Sequence, residues 1–194
     1  LQWKKNYYSK SDKKNNPVLF FSNNKNILIV ADTLAKYYSI DLKTGDKIIT
    51  IDGKKIDRFG QIPLELINGN QYSIERNGQV VTSEIPTDFI SKLVDRGKNA
   101  GPFITPRYPF VIKALAKDSI NGSADIKPKD QITAINNTPI RYYDQAKPLL
   151  QTLKGQDITL TIKRGEETKS IPAKVSNSGN IGVVWTPVSM ETLE

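Results

Sequence analysis

The sequence predicts two copies of a small, mainly β unit with short helices, an α+β class, in place of one undivided domain. The repeat is the first observation. Ile40-Asp41-Leu42-Lys43-Thr44-Gly45-Asp46-Lys47-Ile48-Ile49-Thr50-Ile51-Asp52-Gly53 lies over Ala124-Asp125-Ile126-Lys127-Pro128-Lys129-Asp130-Gln131-Ile132-Thr133-Ala134-Ile135-Asn136-Asn137, so that Asp46 matches Asp130. The second is that Arg76 and Arg164, each followed by a glycine turn, also align, the second copy carrying about four extra residues in between. The third is length: 194 residues hold two domains near the small end of the usual range of about 100 to 150.

Short β-branched and aromatic runs supply the strands. In the first copy they fall at 27–30, 47–51, 72–76 and 80–85, and Asn77-Gly78 is a two-residue hairpin signal. In the second, 110–112, 131–135, 158–163 and 168–175 repeat the order, and 181–185 adds a last strand. Two helices interrupt each set. A short one is expected at 33–39 and at 119–124, just before the repeated Asp-Leu or Asp-Ile. The longer one is clearest at 143–154, where Ala146, Leu149, Leu150 and Leu153 stand at i, i+3, i+4 and i+7 and form one apolar stripe, with Gly155 as its stop. Its counterpart at 61–66 is interrupted by Gly60 and Pro63. Between the copies Thr87-Asp88 can cap a helix in which Phe89, Ile90, Leu93 and Val94 share a face, and Gly97 can end it. The expected organisation is a first module at 16–87, a packed helical linker at 88–100 and a second module at 101–187.

Composition excludes most chemistry. With no cysteine and no histidine there is no thiolate nucleophile, no disulfide, no Ser-His-Asp triad and no His-containing zinc site. No G-x-S-x-G elbow is present and the acids sit in turns, so no catalysis is expected of this chain. The net charge of +8 is spread in ones and twos, clustered only at Lys4-Lys5 and 10–14, without an arginine-rich helix or stacking aromatics. Nucleic acid is therefore not an expected partner; the charge reads as a soluble basic surface, with weak contact with an anionic membrane surface as the alternative. No run of about 18 apolar residues and no signal-like start occurs, which places any membrane anchor outside this chain. The segment 41–46 lacks the ligand count of a calcium loop and reads as a turn. Asn121-Gly122-Ser123 and Asn136-Asn137-Thr138 match the glycosylation sequon and read as chance.

The order strand, short helix, Lys-x-Gly-Asp-x-Ile-x-x-Ile-Asp-Gly-x-x-Ile, longer helix, strand-hairpin-strand resembles the circularly permuted bacterial PDZ domain, a partly open β-barrel or sandwich. The second copy, with Gly101-Pro102-Phe103-Ile104-Thr105-Pro106-Arg107 ahead of Pro109-Phe110-Val111-Ile112, is similar to the PDZ domains inserted in RseP-type site-2 intramembrane zinc metalloproteases of the Bacteroidetes branch. The resemblance runs over 16–186. The family's Ala-Gly-Leu turn is Ile40-Asp41-Leu42 and Ala124-Asp125-Ile126 here, aspartate being a residue that tolerates a left-handed turn, and Lys129 replaces the glycine of Gly-Asp. The family's H-E-x-x-H helix and aspartate-bearing membrane segment are absent. Proteolysis and zinc would thus belong to a parent polypeptide, and this fragment would hold no cofactor.

The resemblance implies β-augmentation, in which an extended peptide adds to a strand edge beside a helix and its terminal carboxylate meets free backbone N–H groups. The second groove would lie between 101–105 and 143–153, lined by Gly101, Phe103, Ile104, Thr105, Ala146, Leu149 and Leu150. Pro102 offers it no N–H. The first would use Val18, Leu19 and Phe20 opposite 61–66. The implied role is that of a periplasmic tandem at the bacterial inner membrane, screening or recognising substrates for regulated intramembrane proteolysis. Its partners would be a protein substrate or C-terminal peptide and the membrane-embedded protease core of the same polypeptide. A peptide-binding adaptor, or the PDZ tail of an HtrA-type serine protease, is the alternative.

Overall fold

The β-branched runs become antiparallel strands of three sheets in the computed structural model, which describes residues 29–31, 40–95 and 103–187. In chain order these are β1 (Ile29–Ala31), β2 (Lys47–Ile51), β3 (Lys54–Lys55), helix α1 (Ile62–Asn68), β4 (Gln71–Arg76), β5 (Gln79–Glu84), helix α2 (Phe89–Asp95) and β6 (Ile104–Pro106). The second half continues with β7 (Phe110–Leu115), β8 (Gln131–Ile135), β9 (Thr138–Pro139), helix α3 (Tyr143–Thr152), β10 (Asp157–Arg164), β11 (Glu167–Lys174) and β12 (Val183–Thr186). One sheet has the order β3-β2-β4-β5, a second pairs β1 with β6, and the third runs β11-β10-β8-β7-β12 with β9 on β8. The helix expected at 33–39 lies outside the described residues.

Alternation decides which face is buried. Along β10, Ile158, Leu160 and Ile162 point inward while Asp157, Thr159 and Lys163 stay out, the period of two that a half-solvated antiparallel sheet requires. The β4–β5 hairpin turns on Asn77 and Gly78, with φ of 53° and 78°, the positive values that a tight two-residue turn needs at both positions. Two separate hydrophobic clusters result. Ile48, Ile51, Leu66, Tyr72, Ile74 and Phe89 belong to the first, and Phe110, Ile132, Ala146, Leu150, Leu160 and Ile162 to the second.

The repeat extends to individual hydrogen bonds. The Ile29 N–H donates to the Asp46 carbonyl as that of Ile112 does to Asp130, and the Gly45 N–H donates to Ile29 as that of Lys129 does to Ile112. The Gln61 side chain accepts the N–H groups of Asp57 and Arg58, and Gln145 accepts those of Arg141 and Tyr142, so one glutamine opens each longer helix. Arg76 forks onto Asp46 and also reaches the carboxylate and carbonyl of Asp41; Arg164 makes the same four contacts to Asp130 and Asp125. Asp46 and Asp130 are only 1% and 0% exposed, and the backbone N–H groups of Lys43 and Lys127 satisfy them further. The segment 41–46 is thus a turn closed by an arginine.

Several expectations need correction. Asp41 and Asp125 do not adopt left-handed backbone; they are arginine ligands, while the left-handed position is at Gly45 and Lys129, with φ of 99° and 74°. Residues 119–124 form a chain of tight turns instead of a helix, the N–H groups of Ser119, Gly122 and Ala124 each reaching back three residues, because Asn121, Gly122 and Ser123 are poor helix formers. The linker helix splits its apolar face. Phe89 and Leu93 pack into the first cluster, and Ile90 and Val94 are exposed.

The largest difference concerns 101–106. Ile104–Pro106 pairs with β1, Ile29 facing Pro106 and Ala31 facing Ile104, and Phe103 and Ile104 are buried in the first cluster. The boundary expected at 101 therefore falls ahead of a strand that packs with the first module. In the second module β12 holds the corresponding place: it pairs with β7, Val184 facing Ala114 and Trp185 facing Ile112.

Candidate functional site

A strand edge beside a helix is the arrangement a peptide can extend. In the second module the edge is β12, the terminal strand of its sheet, and the helix is α3. The apolar stripe of α3 buries Ala146 and Leu150 in the second cluster, and its partly buried Tyr143, Leu149 and Leu153 pack on that cluster together with Val183 and Trp185 of β12. The cleft has two distinct ends. At the start of α3, the Trp185 ring stacks on Tyr143 with centroids 4.0 Å apart and planes 19° off parallel, and Tyr143 meets Phe110 edge-on at 4.9 Å. At the helix's other end, Gln151 donates to the Ser178 carbonyl, and a Cβ added at Gly179 would lie 2.2 Å from the Gln151 Nε2. Strand β12 therefore runs antiparallel to α3, starting from the loop 176–182.

That loop presents backbone donors. The Gly182 carbonyl accepts the Ala116 N–H at 2.9 Å and Val184 faces Ala114, so alternation along an antiparallel edge turns the N–H and C=O of Val183 away from β7. Gly182 has φ of 66°, and a Cβ there would meet the Ser119 Oγ at 2.4 Å, so this position demands glycine on two counts. Val184, 45% exposed, stands on the outer surface of the edge.

The helix's first turn is tied to the connection between the modules. Arg107, next after β6, donates from Nε and Nη2 to both oxygens of Asp144 at 3.0 and 2.6 Å, with its guanidinium carbon 4.2 Å from the centre of the Tyr142 ring. The Tyr143 N–H donates to the Tyr108 carbonyl. A Cβ at Gly45 would lie 3.4 Å from the Arg107 Nη1, so the same side chain sits against the first module's turn.

The structure separates the residues that the sequence grouped into one groove. Ala146, Leu149 and Leu150 line the α3 side, but Phe103 and Ile104 belong to the first cluster and half-buried Thr105 to β6. Gly101, Val18, Leu19 and Phe20 lie outside the described residues. In the first module β6 is the outer strand and its cluster includes Ile62 and Leu66 of α1. The approach to the edge differs there, since helix α2 stands ahead of β6, Phe89 packing edge-on against Phe103 at 5.5 Å. The residues missed are Gly182, Val183, Trp185 and Tyr143. A second repeat carries the signal: Gly101-Pro102-Phe103-Ile104-Thr105-Pro106 recurs as Gly182-Val183-Val184-Trp185-Thr186-Pro187.

No protein-family model matches the chain. Probable CtpA-like serine proteases of two Staphylococcus epidermidis strains are each 35% identical to it over 80 residues, which is 35% of this chain. The matched stretch spans only 16% of the length of those curated relatives. Among solved structures, the PDZ domain of an SdrC-like protein from Listeria monocytogenes aligns over 40% of this chain and 87% of its own length, at 15% identity and a TM-score of 0.36. The fold here is mainly β, with few short helices and open sheets.

Proposed function

We propose that this chain is the non-catalytic peptide-recognition part of a protease, taking an extended chain end on the β12 edge beside α3. One observation carries the reading: a sheet edge unpaired among the described residues, an apolar helix stripe and a loop with outward N–H groups converge on one cleft. A ligand strand antiparallel to β12 ends at the 181–183 loop, where backbone donors suit a carboxylate, and its last side chain meets the aliphatic end of the cleft near Val183, Leu149 and Leu153.

The resemblance to RseP-type site-2 metalloproteases supports a periplasmic position next to a membrane-embedded core, where the tandem screens or recognises substrates before intramembrane cleavage. Zinc in such a parent is held outside this sequence, which contains no histidine. The matches to probable CtpA-like serine proteases favour a second reading, in which the same recognition unit serves a serine protease. Both readings assign the chain a substrate-binding role.

Titration of the full chain with short peptides ending in aliphatic residues tests this proposal. Saturable micromolar binding that C-terminal amidation abolishes is the expected result. Equal affinity for both forms, or none for either, rejects chain-end capture. Fusing the tandem to a site-2 core and comparing trimmed with intact substrates separates the two parents, since equal cleavage of both counts against screening.

A further inference from the structure

We infer that Asn121 is a positioning residue for chain-end capture: it holds the Ile181–Gly182 peptide so that two successive backbone N–H groups face out of the loop preceding β12. The inference rests on the peptide-recognition reading and adds the device that sets its preference for a free carboxylate.

Asn121 is 4% exposed, and its amide is spent entirely on backbone. Its Nδ2 donates to the carbonyls of Lys174 and Ile181, both at 2.9 Å, and its Oδ1 accepts the Lys174 N–H at 2.7 Å. A trans peptide holds its C=O and N–H antiparallel, and no cis bond occurs among the described residues. With the Ile181 carbonyl aimed inward at Asn121, the Gly182 N–H must aim outward. The next peptide repeats the logic, because the Gly182 carbonyl is taken by Ala116 and the Val183 N–H is turned away from β7. Two adjacent outward donors around a glycine of positive φ make a concavity suited to an anion.

The turns at 119–124 are what place this side chain. The Asn121 N–H donates to the Ser119 Oγ at 3.2 Å, and that same hydroxyl is the atom a Cβ at Gly182 would strike. A regular helix over these residues would direct Asn121 elsewhere. The sequon at 121–123 therefore has a structural meaning, and its asparagine, buried with both Nδ2 hydrogens engaged, is no glycan acceptor.

The test uses the full chain and a hexapeptide ending in Val-Val, supplied with a free carboxylate and as its amide, titrated by calorimetry. Asn121→Asp retains the acceptor for the Lys174 N–H and loses the donor to Ile181; Asn121→Ser is too short to bridge both segments. The wild type should favour the carboxylate form by at least about tenfold, the size expected for hydrogen bonds to a charged group. Both variants should bring that ratio near one and shift the Gly182 and Val183 amide resonances. Asn136→Ala is the control, since Asn136 accepts the Thr159 N–H in a different turn and should leave the ratio unchanged. A folded variant at 121 that keeps the wild-type ratio overturns the inference alone, as does an equal loss in the control. A wild type without preference overturns both the inference and chain-end capture.

Discussion

Arg164 grips the buried carboxylate of Asp130 with two nearly parallel hydrogen bonds, Nε to Oδ1 at 2.7 Å and Nη2 to Oδ2 at 2.8 Å. Removing one member of such a pair strands the other in a desiccated site. Arg164→Met should destabilise the second module by about 3 kcal/mol, and Arg76→Met the first by a similar amount. Urea denaturation of each variant measures this, and a loss below about 1 kcal/mol would show that water replaces the guanidinium.

The same arginines predict acid lability. Hydrogen bonds from Arg76 hold the Asp41 carboxyl below the ordinary aspartate value, and Arg164 with Lys127 does so for Asp125. A lowered folded-state pKa means that the unfolded chain binds more protons in this range, so the contribution is full above the unfolded pKa of about 3.9 and disappears as pH falls through the folded values. Stability from these groups should be level between about pH 7 and 5 and decline below about 4. In the double variant Arg76→Met, Arg164→Met the acid limb should flatten; an unchanged limb would assign it to other carboxylates.

Lys129 holds φ of 74° where the first module has Gly45 at 99°. Left-handed backbone costs a side-chain-bearing residue about 1–2 kcal/mol, part of which glycine's extra freedom in the unfolded chain offsets. Lys129→Gly should therefore raise stability by roughly 0.5–1 kcal/mol without altering peptide affinity. A destabilised Lys129→Gly protein would mean that the lysine stem packs usefully on the turn.

Trp185 lies in the cleft wall, and the chain's other tryptophan is Trp3. In a Trp3→Phe background the emission reports on Trp185 alone. Peptide binding on the β12 edge should shift it, and Tyr143→Ala, which removes the stacking partner, should change both the starting spectrum and the affinity. Saturable binding seen by calorimetry with silent fluorescence would move the site away from this cleft.

Much of the fold was legible because its signals are local. Alternation at Ile158, Leu160 and Ile162, the Asn77-Gly78 turn and the α3 stripe each act over a few residues. The arginine clamps were half visible: alignment showed that Arg76 and Arg164 correspond, but their aspartate partners lie across 30 to 39 positions of chain. The grouping of 101–105 with α3 follows chain order, since 101–106 stands directly before the second module in sequence while Ile104–Pro106 pairs back to β1. Adjacency along the chain points to α3, whereas Phe103 and Ile104 pack in the cluster that holds Ile62 and Leu66 of α1. Only the Gly-x-x-x-Thr-Pro recurrence distinguishes the two readings, and it is weak beside the longer repeat. Asn121 was obscured by its sequon, a surface motif that gave no hint of burial.

The bridge from β6 to β7 is just residues 107–109, anchored at its first residue by Arg107 on Asp144. Four Cα steps of 3.8 Å let these strands part by no more than about 15 Å. A tether that short confers an effective concentration in the millimolar range on any second contact. A chain held on the proposed β12 edge would consequently meet the first module at that raised concentration without a second diffusional search.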